Sequence, residues 1–164
     1  MGEFFALACA LVWAGAVVLF RKSGQQVAPF PLNLFRVVVS TGLFVVTLAF
    51  IRQPLFGLAP LKDYLILMAS GVMAIAISDT LFHLALNRVG AGINAIVNAM
   101  YSPFIVLFAL VLLGERPDAL KLGGMVLIVT GVITTARAKP PAGMPRSDLV
   151  VGILYGVAAM ATLA

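Results

Sequence analysis

Apolar runs of about twenty residues recur along this 164-residue chain, each closed by a short polar or proline-containing link. Twenty residues at the helical rise cross the ~30 Å hydrocarbon core of a bilayer. A water-soluble alternative fails on charge. Only 10% of the residues are charged and 62% are hydrophobic, whereas a globular domain has about a quarter charged. With a mean hydropathy of +1.12, the chain is predicted to be an all-α polytopic membrane helical bundle. Five transmembrane helices are predicted over residues 4–20, 32–51, 64–83, 92–113 and 118–136, with the start of a sixth over 149–164.

The net charge of +5 then belongs to loops beside lipid headgroups. No basic cluster interleaved with aromatics points to nucleic acid. Glu3 precedes the first run and Arg21-Lys22 follow it, the reverse of a secretory signal peptide, so this segment is expected to be retained as a helix. The lone cysteine, Cys9, excludes an internal disulfide and reads as a small lipid- or helix-facing residue. No metal-ligand spacing, nucleophile–base pair or phosphate-binding loop occurs, so neither catalysis nor a cofactor is expected.

Polar residues inside the apolar runs carry the functional signal, because each costs free energy in hydrocarbon. Trp13 lies in mid-span, away from the interfacial belt, and serves either packing or the lining of an internal cavity. Arg36 lies about one turn inside the second span and either snorkels to the headgroups or faces inward to an acid or substrate. Asp79 and His83 share one helix face in the third span. In the fourth span Asn94, Asn98 and Ser102 form a stripe with Tyr101 beside it, readable as interhelical glue or as a substrate path. Ala91, Ala95 and Ala99 form an adjacent small-residue stripe. Gly124 and Gly131 are expected to mark a packing face of the fifth span. Pro103 lacks the amide that the helical ladder needs, so a kink or local opening is expected there. Gly152 and Gly156 form a GxxxG pair, a weak signal by itself.

Antiparallel neighbours bring the end of one span level with the start of the next. Arg21-Lys22, Arg36, Asp79, His83, Asn94 and Asn98 should therefore converge toward one membrane side at similar depths, with Arg36 and Asp79 as a charge pair. The Gly114-Glu115-Arg116 turn falls on the other side. The acid-then-apolar opening at Asp148-Leu149 echoes Glu3-Phe4, as the start of a second copy would. A repeat of five spans would insert its second copy upside down, and inverted repeats with a site between them are a transporter architecture.

Several residues, in order and at the right spacing, resemble the EamA-type repeat of the drug/metabolite transporter superfamily. They are Trp13 followed by Arg21-Lys22, then Leu34-Phe35-Arg36, then Phe82-His83-Leu84-Ala85-Leu86. The run from Ala91 through Ser102-Pro103-Phe104 to Leu113-Gly114-Glu115-Arg116, followed by Gly124 and Gly131, is the strongest match. The resemblance implies a five-helix repeat over 2–137, a linker over 138–147 and a truncated start of a second repeat over 148–164. It further implies ten helices in two inverted halves in the complete protein, and a central cavity between them. The implied activity is secondary transport, often export, of metabolites or drugs across the plasma membrane, the bacterial inner membrane. A second repeat, or a second copy in a homodimer, would complete the cavity. In this frame Arg36, Asp79, His83, Asn94, Asn98, Tyr101 and Trp13 would form the substrate or proton pathway, and Pro103, Gly114, Glu115 and Arg116 would be structural. A non-transport scaffold whose polar stripes serve only packing is the competing reading. His83 stands where many relatives carry an aromatic. For orientation, four Lys or Arg on the N-terminal side face six on the other, seven with Arg36. That bias puts the N-terminus outside, whereas the resemblance puts it inside, and the latter is taken as the expectation.

Overall fold

The structure is a computed structural model that describes residues 2–55, 57 and 59–164. Its helices are α1 (Gly2–Ser23), α2 (Pro29–Phe50), α3 (Leu61–Gly71), α4 (Asp79–Asn98), α5 (Tyr101–Leu113), α6 (Ala119–Arg137) and α7 (Arg146–Leu163), with no strand among the described residues. Local signals set the ends. Glu3 opens α1 and Arg21-Lys22 close it, each sign complementing the helix dipole. Pro29 starts α2, where its fixed φ suits the first turn. The Asp118 side chain accepts a 2.8 Å bond from the Lys121 amide at the start of α6. Gly114 ends α5 at φ 67°, a left-handed stop that glycine adopts without a Cβ penalty. Of the expected 52–63 loop, Phe56 and Leu58 lie outside the described residues.

The third span differs from expectation. From α3 the chain continues through π-helical turns at Val72–Ser78 directly into α4. The run Leu61–Asn98 is 38 residues long, about 57 Å at the helical rise and far more than one crossing needs. Gly90, at φ 78° and ψ 172°, divides it. That backbone region is essentially restricted to glycine. The third span therefore ends at Val89 rather than His83, and the fourth starts at Ala91. Asp79 consequently lies about 15 Å from the turn, near the middle of the membrane rather than at its edge.

The fourth span is interrupted between α4 and α5. Ala99, Met100 and Ser102 donate to carbonyls three residues back, at 3.0–3.3 Å. Pro103 has no N–H to donate to the carbonyl one turn before it, and its ring crowds that carbonyl, so the break precedes Pro103 by a turn.

The buried core sits where α7 crosses α4. Ala85, Leu86, Val89 and Val97 meet Leu149, Ile153, Ala159 and Met160. Gly152 and Gly156 permit this approach: a Cβ on Gly152 would run into Val89, and one on Gly156 would lie 2.7 Å from Val97 Cγ1. The glycines expected to mark packing in α6 do not. Nothing lies within 4 Å of a Cβ built on Gly124 or Gly131, and α6 buries only Val132. In the alanine stripe, Ala95 and Ala99 are exposed, and the buried face of α4 runs instead through Asn94 and Val97. The remaining faces of α1, α2, α3 and α6 are apolar and outward, as lipid requires. Four single helices besides the divided run are long and apolar enough to cross a bilayer. The chain is a multi-pass membrane protein.

Candidate functional site

Two polar side chains on α2, one turn apart, meet the third span where it widens. Arg36 and Asp79 form an ion pair, each about a quarter exposed (26% and 21%). A carboxylate at this depth costs roughly 2.5–3.5 kcal/mol on insertion scales, and an opposite charge with further hydrogen bonds offsets that cost. Asn33 supplies one such bond, its Oδ1 accepting from Arg36 at 3.1 Å. The guanidinium also stands 5.7 Å from the centre of the Phe20 ring, within cation–π range. Arg36 thus faces inward rather than snorkelling.

Asp79 also lines a cavity of about 190 Å³, shared with Trp13, Asn98 and Tyr101. Four separate stretches of sequence contribute: α1 gives Trp13, the third span gives Ser78, Asp79 and Phe82, the interrupted fourth span gives Asn98 and Tyr101, and α7 gives Met160 and Leu163. The Trp13 ring leans on Phe82 with centroids 6.1 Å apart, yet remains 48% exposed, so it forms a rim rather than a core. Ser78 is fixed from behind, its hydroxyl donating to the Ala159 carbonyl at 2.7 Å. The wall combines three aromatic rings, a paired carboxylate and an amide. That mixture can hold the apolar body of a small solute and orient one polar group.

The other expected residues stand apart from this wall. His83 is buried between Phe20 and Phe82, with ring centroids at 5.2 and 5.5 Å. Its Nδ1 lies 2.6 Å from the Asp79 carbonyl. A carbonyl only accepts, so Nδ1 carries the proton and Nε2 is left buried without a partner among the described residues. Asn94 is fully buried with both side-chain polar atoms unpaired among the described residues. Pro103 is buried behind the break that carries Tyr101. Glu115 and Arg116 line a different depression with Lys121, at the far end of α5. The expected convergence at one depth resolves into two layers. Arg21 caps the end of the third span, donating to the carbonyls of Leu86 (2.7 Å) and Asn87, whereas Arg36, Asp79 and Asn98 lie deeper.

Sequence reasoning missed Asn33, Ser78 and the contribution of α7. Asn33 carried a signal, an amide three residues before an intramembrane arginine on the same face. Ser78 carried none, since a serine in an apolar helix ordinarily bonds its own backbone. No group of three His, Cys, Asp or Glu residues that could hold a metal ion occurs among the described residues.

No curated protein and no solved structure matches the chain significantly. A family model described as the EamA-like transporter family matches residues 1–137, from the first helix to the end of α6. The match takes in every cavity residue of the first five spans and leaves out only those of α7. On that coverage, the chain belongs to the EamA-like transporter family.

Proposed function

We propose that the chain is one half of a secondary transporter that moves small metabolites or drugs across the plasma membrane by alternating access, with export as its direction. The observation that carries this reading is the mid-membrane cavity, in which Trp13, Asp79, Asn98 and Tyr101 face one space. At about 190 Å³ the cavity is smaller than the roughly 300–1,000 Å³ of sites that enclose a drug-sized ligand. A second wall, from an inverted second repeat or from a second copy of this chain, would complete it. In this reading the Arg36–Asp79 pair is the charged element that a solute or proton perturbs. Trp13 and Tyr101 supply the aromatic faces, and Asn98 the orienting amide. His83 and Asn94 stand behind the wall as its support. Pro103 supplies the flexible point, and the Gly114-Glu115-Arg116 turn is architectural.

The competing scaffold reading predicts that no part of this wall meets water. Single cysteines at Asn98, Tyr101 and Asn94, in a Cys9→Ala background, are treated with a membrane-impermeant maleimide in oriented vesicles. Labelling at 98 and 101 from one membrane side, with 94 protected, is the expected result. Protection at all three positions would reject the cavity and favour the scaffold.

A further inference from the structure

A second concavity, about 370 Å³, lies between α2 and the third span, and its walls are apolar except at Asn33. An asparagine facing hydrocarbon is costly, yet this one is only 4% exposed and fully engaged. Its Nδ2 donates to the Ile75 carbonyl at 2.8 Å and lies 3.3 Å from Thr80 Oγ1, while its Oδ1 accepts from Arg36. Thr80 in turn donates to the Ala76 carbonyl at 2.6 Å. Both carbonyls belong to the π-helical stretch Val72–Ser78. Such turns are rare, because the i→i+5 ladder is weaker than the α-helical one, and they occur mostly as single turns at functional sites. Seven residues of it need an external holder.

We propose that Asn33 is a positioning residue that keeps Val72–Ser78 in the wide register and so lets Asp79 face Arg36 and the cavity at once. Closing the wide turns to α-helix would rotate the two halves of the third span against each other by about 100° per residue of register. The half beyond the turns is fixed: Ser78 is tied to Ala159, and Ala85 and Leu86 are buried against α7. After such a rotation α2 could not serve both halves, so either Asp79 would leave Arg36 or Ile75 and Met68 would leave the groove wall. The donor on Asn33 selects the register that keeps both.

This inference rests on the cavity reading for its functional meaning, but its test is independent of transport. Spin labels at Leu34 and Met68, on opposite walls of the groove and each more than half exposed, report the register as an interspin distance in nanodiscs. Asn33→Leu keeps the branched shape and removes both polar functions, and it is expected to lose the single wild-type distance. Asn33→His returns an N–H at the same branch point and is expected to retain that distance. Should the leucine variant not insert, Asn33→Asp, whose carboxylate cannot donate to the Ile75 carbonyl and adds a negative charge beside Arg36, is expected to show the same loss. A wild-type distance in the leucine or aspartate variant, or the same loss in the histidine variant, overturns the proposal. Failure of the maleimide labelling at 98 and 101 would leave this distance untouched, so the two ideas fail separately.

Discussion

The close crossing of α4 and α7 makes a quantitative claim about Gly152. A methyl group there would run into Val89 Cγ1 and come within 3.0 Å of Arg88 Cβ, against an ordinary carbon–carbon contact of about 3.5–4.0 Å. Valine in a helix has essentially one χ1 rotamer, so its methyl cannot swing aside and the helices must part. Overpacking of this kind costs about 1–3 kcal/mol, while replacing glycine in a helix returns about 1 kcal/mol of propensity. Because the backbone itself has to move, Gly152→Ala is expected to lose about 1–2 kcal/mol net. Gly131→Ala is the matched control. It is also mid-helix and meets nothing within 4 Å, so only the propensity gain of up to about 1 kcal/mol applies. The two variants should differ by about 2 kcal/mol, roughly thirty-fold in the folded-to-unfolded ratio. Trp13 is the one tryptophan and leans on Phe82, beside the crossing. Its fluorescence therefore reads unfolding in dodecylmaltoside titrated with sodium dodecyl sulfate. Equal midpoints for the two variants would refute the close approach of α7 to α4.

Two further outcomes follow from the same geometry and titration. Gly90→Ala forces a side chain into a backbone region open essentially to glycine, so it should lower stability by about 1–3 kcal/mol, and a neutral result would remove the turn at that position. Asp79→Asn and Arg36→Gln each strand one partner of a half-sheltered pair, and the double variant should lose less than their sum by about 0.5–3 kcal/mol; strict additivity would mean the pair does not form in the folded protein.

The helices were legible because bilayer thickness sets the length of every apolar run, and the links carry proline, glycine and charge. The Arg36–Asp79 pairing was legible from span parity, since an acid and a base on neighbouring spans at like depth have few other partners. The turn itself was legible, since Asn87, Arg88 and Gly90 interrupt the apolar run where the backbone turns, but the last membrane residue was not, because Leu84-Ala85-Leu86 are as apolar as what precedes them and His83 looked like an end. The π-helical turns were invisible for a similar reason: VMAIAIS reads as an ordinary helix, and its register is set by Asn33 from another span. The glycine signals were ranked the wrong way round. A GxxxG pair and a pair seven apart look alike in sequence, and only the Val89 and Val97 side chains opposite them decide which receives a neighbour.

The crossing of α7 over α4 also has a consequence in time. Ser78, Asp79 and Asn98 enter the membrane well before α7 supplies the last wall of their cavity, because roughly sixty-five residues separate Asn98 from the end of α7. At about 5–20 residues per second the ribosome takes several seconds to supply it. Throughout that interval a hydroxyl, a carboxylate and a carboxamide are held among lipid tails, or within the membrane-insertion machinery, with one wall missing. Assembly of this bundle is therefore paced by translation, and slowing the ribosome between α6 and α7 should expose the chain to membrane quality control more than slowing it elsewhere.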